Sequence, residues 1–235
     1  MKFRAYEGKE TYYVLVGGSW AVGEYNIDEH KQAYLSGLGV GHFLSQSGIC
    51  LNLAMSGASN IISLRRLERF LSFTSLPSSA KYIWVVSSPL FDCASAEEFY
   101  NKTSTLTERT VQLLDQAYLM ANQIANEHNI TLHLIGGAVD LKRMTKYERL
   151  KVLIPSWCKM MFPDFPTSLY SPHVNYWSDL GSLLPSDYKK EWLEITELMD
   201  AKLQFYKREF INDDFHPLSK HHLILKNRIL DIIHA

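Results

Sequence analysis

The sequence predicts an α/β protein built on a mostly parallel sheet with helices on both faces. Two observations predict it. Short apolar runs, rich in β-branched and aromatic residues, recur four times and close on Gly, Ser or Pro; segments of helical periodicity stand between them. Strands that alternate with helices in this way pair in parallel, because each helix carries the chain back across a sheet face.

The first run, Tyr12-Tyr13-Val14-Leu15-Val16, stops at Gly17-Gly18 and reads as a buried central strand. A second, near Ile49-Cys50-Leu51-Asn52-Leu53, enters the turn-rich Ser56-Gly57-Ala58-Ser59-Asn60 and then a helical pattern from Ile61 to Phe73. The third, Tyr82-Ile83-Trp84-Val85-Val86, ends at Ser87-Ser88-Pro89, and a long helical stretch from Ser104 to His128 leads to the fourth, Leu132-His133-Leu134-Ile135 before Gly136-Gly137. From Asp140 to Phe210 no strand is expected; aromatics accumulate there, including Trp157, Phe162, Phe165, Tyr170, His173, Tyr176 and Trp177. They fit either a wall of a carbohydrate or acyl pocket or a satellite apolar cluster under a long loop. Leu218, Leu223, Leu225, Ile229 and Ile232 suit a packed terminal helix over 217–233.

A chain of 235 residues is expected to form a single domain over 1–235, with a helical or loop excursion at about 140–210. Its 24 basic and 25 acidic side chains leave a formal net charge of -1, so no broad positive field is available to a nucleic acid. Arg65-Arg66-Leu67-Glu68-Arg69 reads as the solvated face of an amphipathic helix. Cys50, Cys93 and Cys158 are odd in number and widely spaced, which suggests neither a disulfide framework nor a thiolate metal site. With no apolar run of signal or membrane-span length, the expected location is cytoplasmic.

In an open parallel sheet the ligand site lies beyond the carboxyl ends of the strands. Ser19 stands there, after a strand and two glycines, where a tight turn lifts its hydroxyl above the sheet edge. A serine hydroxyl needs a base within reach and a group that orients the base. Asp213-Asp214-Phe215-His216-Pro217 offers both, since a carboxylate three residues before a histidine accepts from one imidazole nitrogen while the other faces a nucleophile.

Val16-Gly17-Gly18-Ser19-Trp20-Ala21-Val22-Gly23-Glu24 and the terminal Asp213-x-x-His216-Pro217 resemble the first and last motifs of the SGNH/GDSL hydrolase family, in order and position along the whole chain. The resemblance implies a three-layer α/β/α sandwich with a flavodoxin-like sheet, in which Ser19 is the nucleophile, His216 the general base and Asp213 the orienting acid. It implies that the backbone N–H groups of Ser19 and Gly57 form the oxyanion hole. Trp20, beside the nucleophile, is the substrate-binding candidate. The chain departs from the family twice: Gly18 replaces the Asp of the first motif, and the Asn of the third motif has no counterpart after the third strand. Asn60, Ser87 and Ser88 are the residues available to replace that donor, each such donor being worth about 2.7–4 kcal/mol.

The implied activity is hydrolysis of an ester, an O-acetyl group on a glycan or a short acyl ester, through an acyl-serine intermediate. No cofactor or metal is called for. Two alternatives stay open: a catalytically silent module of the same fold that binds carbohydrate, and an acyltransferase using the same triad. His221 and His222, adjacent on a helix, point about 100° apart and are poorly placed to share an ion. His128 and His133 lack acids at ligand spacing and read as structural. Gly17 to Gly23 lacks both the Gly-Lys-Ser/Thr ending and the Gly-x-Gly-x-x-Gly spacing of nucleotide loops.

Overall fold

The computed structural model describes residues 3–4, 11–23, 25–27, 33–35, 37–87, 106–137, 141, 146–161, 163 and 217–234. Five strands form a parallel central sheet: β2 (Tyr12–Gly17), β5 (Ile49–Asn52), β7 (Lys81–Val86), β8 (Leu132–Gly136) and β9 (Leu150–Ile154), in the spatial order β5-β2-β7-β8-β9. Taken in chain order this is 2-1-3-4-5, the flavodoxin-like arrangement, whose switch point lies between the first and third central strands, β2 and β7. Two-residue strands β1 (Phe3–Arg4) and β6 (Thr74–Ser75) pair in parallel, and β3 (Tyr25–Ile27) pairs antiparallel with β4 (Ala33–Leu35). The helices are α1 (Ser19–Val22), α2 (Val40–Leu44), α3 (Asn60–Phe73), α4 (Leu106–Glu127), α5 (Trp157–Met161) and α6 (Ser219–Ile233).

Alternation of side chains divides the sheet into two apolar faces, as a pleat requires. On one, Val14, Val16, Trp84 and Leu134 pack with Leu64 and Leu67 of α3 and with Ala117, Tyr118 and Ala121 of α4. On the other, Leu15, Ile83, Val85 and Ile135 pack with Val40 and Leu44 of α2, Trp157 of α5, and Leu225 and Ile229 of α6. The result is a three-layer α/β/α sandwich. Tyr13 and Trp84, with every other inner residue of β2 and β7, are buried, which is why these strands read as continuous apolar runs.

The four strands expected from the sequence are present, and the fifth corrects the expectation of a strandless 140–210 segment. Leu150-Lys151-Val152-Leu153-Ile154 pairs with β8 as an edge strand, with a register irregularity beside Leu134 and Ile135. Residues 164–210, which hold Phe165, Tyr170, His173, Tyr176 and Trp177, lie outside the described residues, as does Phe162. Trp157 is fully buried in the core.

Helix α3 starts where the turn-rich segment ends because Ser59 Oγ accepts from Ile62 N–H at 3.3 Å, capping the first turn. Arg66 is exposed on its outer face, as the charge pattern predicts, but its guanidinium turns back: Nε donates to Leu53 O at 2.9 Å and Nη1 lies 3.5 Å from Met55 Sδ. Helix α6 runs opposite to the strands. Tyr13 at the start of β2 meets His234 at the end of α6, with Oη and Nε2 3.3 Å apart. The first turn of α6, where His221 Nδ1 accepts from Leu218 N–H at 3.3 Å, therefore lies at the carboxyl edge of the sheet.

Candidate active site

Three loops gather at the switch point. The loop after β2 carries Gly17, Gly18 and Ser19; its first residue has φ +151°, and a Cβ there would stand 2.8 Å from Val85 O, so only glycine fits the turn. Ser19 is the half-buried first residue of α1, whose N–H has no intrahelical acceptor. That short helix is held by Ala21 N–H donating to Gly18 O at 3.0 Å and Gly23 N–H donating to Ser19 O at 3.0 Å.

The loop after β5 is zipped to the end of β2, with Leu53 N–H on Leu15 O at 2.7 Å and Met55 N–H on Gly17 O at 3.0 Å. It then turns back through Ala58 N–H on Met55 O at 3.1 Å. Gly57 is the exposed corner of that turn, with φ +69°. The loop after β7 begins at Ser87, and Asn60 grips it: Nδ2 donates to Ser87 O at 3.0 Å and Oδ1 accepts from Ser87 N–H at 2.8 Å.

Gly18 occupies the centre of this junction. A Cβ at Gly18 would stand 2.8 Å from Ser87 Oγ and 3.0 Å from Ala58 O, and Ser87 Oγ itself donates toward Ala58 O at 3.5 Å. The space that a first-motif side chain needs is thus filled from the third loop. This packing is the physical reason that glycine stands at position 18.

Trp20 follows the serine and belongs to an aromatic stack. Its ring covers Gly137, where an added Cβ would come within 3.1 Å of it. It meets Trp157 edge-to-face, with centroids 5.8 Å apart, and Trp157 meets His222 of α6 in the same way at 4.9 Å. Two ring contacts therefore connect the neighbour of Ser19 to the first turn of α6.

Of the residues singled out in the sequence, Ser19, Trp20, Gly57 and Asn60 come together at this edge. Asp213, His216 and Ser88 lie outside the described residues. Sequence reasoning missed the Asn60–Ser87 bridge and the Trp157–His222 contact; the Ser-Asn pair before α3 was the available signal for the first. Burial raises the Cys50 thiol to about 11 and holds that of Cys158 well above its ordinary value, so neither is a nucleophile at neutral pH. No helix among the described residues is long and apolar enough to cross a membrane.

Neither a family model nor a curated protein sequence matches the chain. Solved structures do. The chain is similar to the crystal structure of TesA, with 14% identity over 95% of this chain and 98% of that one at a TM-score of 0.45. It is similar to a member of the lipolytic protein G-D-S-L family from Veillonella parvula, with 13% identity, coverage of 94% and 97%, and a TM-score of 0.44. An acetylxylan esterase from Geobacillus stearothermophilus matches at 13% identity, 99% and 96% coverage, and a TM-score of 0.43. The likeness is one of fold.

Proposed function

We propose that this chain is a serine esterase that cleaves an O-acetyl group on a glycan, or a short acyl ester, through an acyl-Ser19 intermediate. The observation that carries the reading is the direction of α6. The first turn of α6 reaches the Trp20–Trp157 stack beside Ser19, which supports a reading in which the Asp213-x-x-His216 motif that precedes the helix in sequence serves the same sheet edge.

In this reading Ser19 Oγ attacks the ester carbonyl and gives its proton to His216, which Asp213 orients. The oxygen that becomes negative is held by the N–H groups of Ser19 and Gly57. Collapse of the adduct breaks the ester C–O bond, and the leaving alcohol takes the proton from His216. Water then attacks the acyl-serine with His216 as base, releasing the acid and restoring Ser19. Asn60 and Ser87 act by fixing the loop that faces the oxyanion, and no cofactor or metal takes part.

The test compares p-nitrophenyl acetate turnover and fluorophosphonate labelling for the wild-type protein and Ser19→Ala. Loss of both supports the assignment; unchanged labelling contradicts it. A second reading, a silent carbohydrate-binding module, is favoured by one observation: the carboxamide of Asn60, a candidate replacement for the third-motif Asn donor that this chain lacks, is engaged with Ser87. Glycan binding by a wild-type protein with no Ser19-dependent turnover would select it. Acyl transfer uses the same triad, and ester products formed with added alcohols or sugars would select that.

A further inference from the structure

At the opposite end of the sheet, the amino edges of β7, β8 and β9 border a cavity of about 510 Å³ lined in part by Lys81, His128, Thr131, His133, Lys151 and Ser78. That volume lies within the range of small-molecule sites, roughly 300–1,000 Å³. The strand register explains why the basic groups converge. His133 pairs with Lys151 across β8 and β9, and Ile83 pairs with His133, so Lys81 lies two residues nearer the edge on the adjoining strand. By alternation all three occupy one face, on strands about 4.8 Å apart.

Among the described residues no Asp or Glu lines the cavity. His133 Nδ1 is buried with no hydrogen-bond partner among the described residues. Burial first, then Lys81, then Lys151 hold its imidazole down to about 4. A neutral imidazole flanked in the strand register by two ammonium groups, with Ser78 and Thr131 in the same wall, is a donor-rich lining suited to an anion. A doubly charged group with several acceptor oxygens meets both cations and accepts from the ring and the hydroxyls.

We propose that this cavity is a binding site for a phosphate group, either as free phosphate or as the charged end of a small phosphorylated molecule. It is separate from the Ser19 edge and does not depend on the esterase reading. Lys81 and Lys151 supply the charge, and His133 supplies a hydrogen bond whose strength grows as the bound anion favours the protonated ring.

The test uses the full chain, with inorganic phosphate and phenyl phosphate as probes and acetate as the control anion. Binding is followed by calorimetry and by the pH titration of the His133 imidazole resonances, assigned with His133→Asn. Saturation with either phosphate probe is expected to raise the His133 pKa by about one unit and acetate to do so much less. Lys81→Gln/Lys151→Gln is expected to weaken binding of both phosphate probes at least about tenfold. Tighter binding of phenyl phosphate identifies the organic source, and tighter or equal binding of inorganic phosphate identifies the free ion. Absence of binding by both probes, equal binding of acetate, or unaltered binding by the double variant overturns the proposal.

Discussion

The side chain of Asn60 bridges the two backbone polar groups of a single residue, Ser87, donating to its carbonyl at 3.0 Å and accepting from its N–H at 2.8 Å. The bridge ties the start of α3 to the end of β7, and through Ser87 Oγ it reaches the turn that carries Gly57. Each buried partner left unmet costs about 1–3 kcal/mol, so Asn60→Ala is expected to lower stability by about 2–4 kcal/mol in urea unfolding. Turnover should fall while Ser19 remains open to a fluorophosphonate.

Position 18 couples to Ser87. Gly18→Ala places a methyl group 2.8 Å from Ser87 Oγ and 3.0 Å from Ala58 O, and overpacking of that kind costs about 1–3 kcal/mol. In a Ser87→Ala background the nearer clash is gone, so the same change should cost less by about 0.5–1 kcal/mol or more. Four unfolding curves complete the cycle; strict additivity would show that the two positions do not share the space.

Trp157 is fully buried between Trp20 and His222, and it joins the Ser19 loop to α6. Trp157→Ala is expected to destabilise by about 3–5 kcal/mol, measured by denaturant unfolding. Trp157→Phe, which keeps an edge-to-face partner, should retain most of the stability and the turnover. Equal losses in both variants would remove the stack from the account of how α6 is placed.

The central strands are legible in the sequence because β2 and most of β7 are covered on both faces and so appear as continuous apolar runs, and β8 is broken only by His133. Strand β9 is not legible, because it lies at the edge, where Lys151 is exposed and interrupts the run. Ser19 is legible by its place after a strand and two glycines. What Gly18 and Asn60 do is not, since a missing side chain can be explained only when the atom that fills its space is known, and Ser87 is 69 positions away in sequence from Gly18. Whether a carboxamide serves an oxyanion or a neighbouring loop depends on the direction in which it points, and composition carries no such information. Arg66 likewise fits a solvated face by pattern, although its guanidinium also braces Leu53 and Met55.

His133 sets a pH dependence of stability. Its imidazole ordinarily titrates at 6.5 but is held at about 4 in the folded chain, by burial first and then by Lys81 and Lys151. Between those values the unfolded chain holds the proton and the folded chain does not, so stability contributed by neutral His133 falls as pH drops from 6.5 toward about 4. The slope approaches about 1.4 kcal/mol per pH unit for one proton. Urea unfolding across that window should show a shallower slope in His133→Asn than in the wild type.

Mass spectrometry of the protein after reaction with a phosphonate ester tests the central claim most directly. The account expects one adduct, carried by the peptide that contains Ser19 and formed far more slowly in His216→Ala. An adduct on any other side chain, or wild-type ester turnover with Ser19 left unmodified by the reagent that stops it, would contradict it.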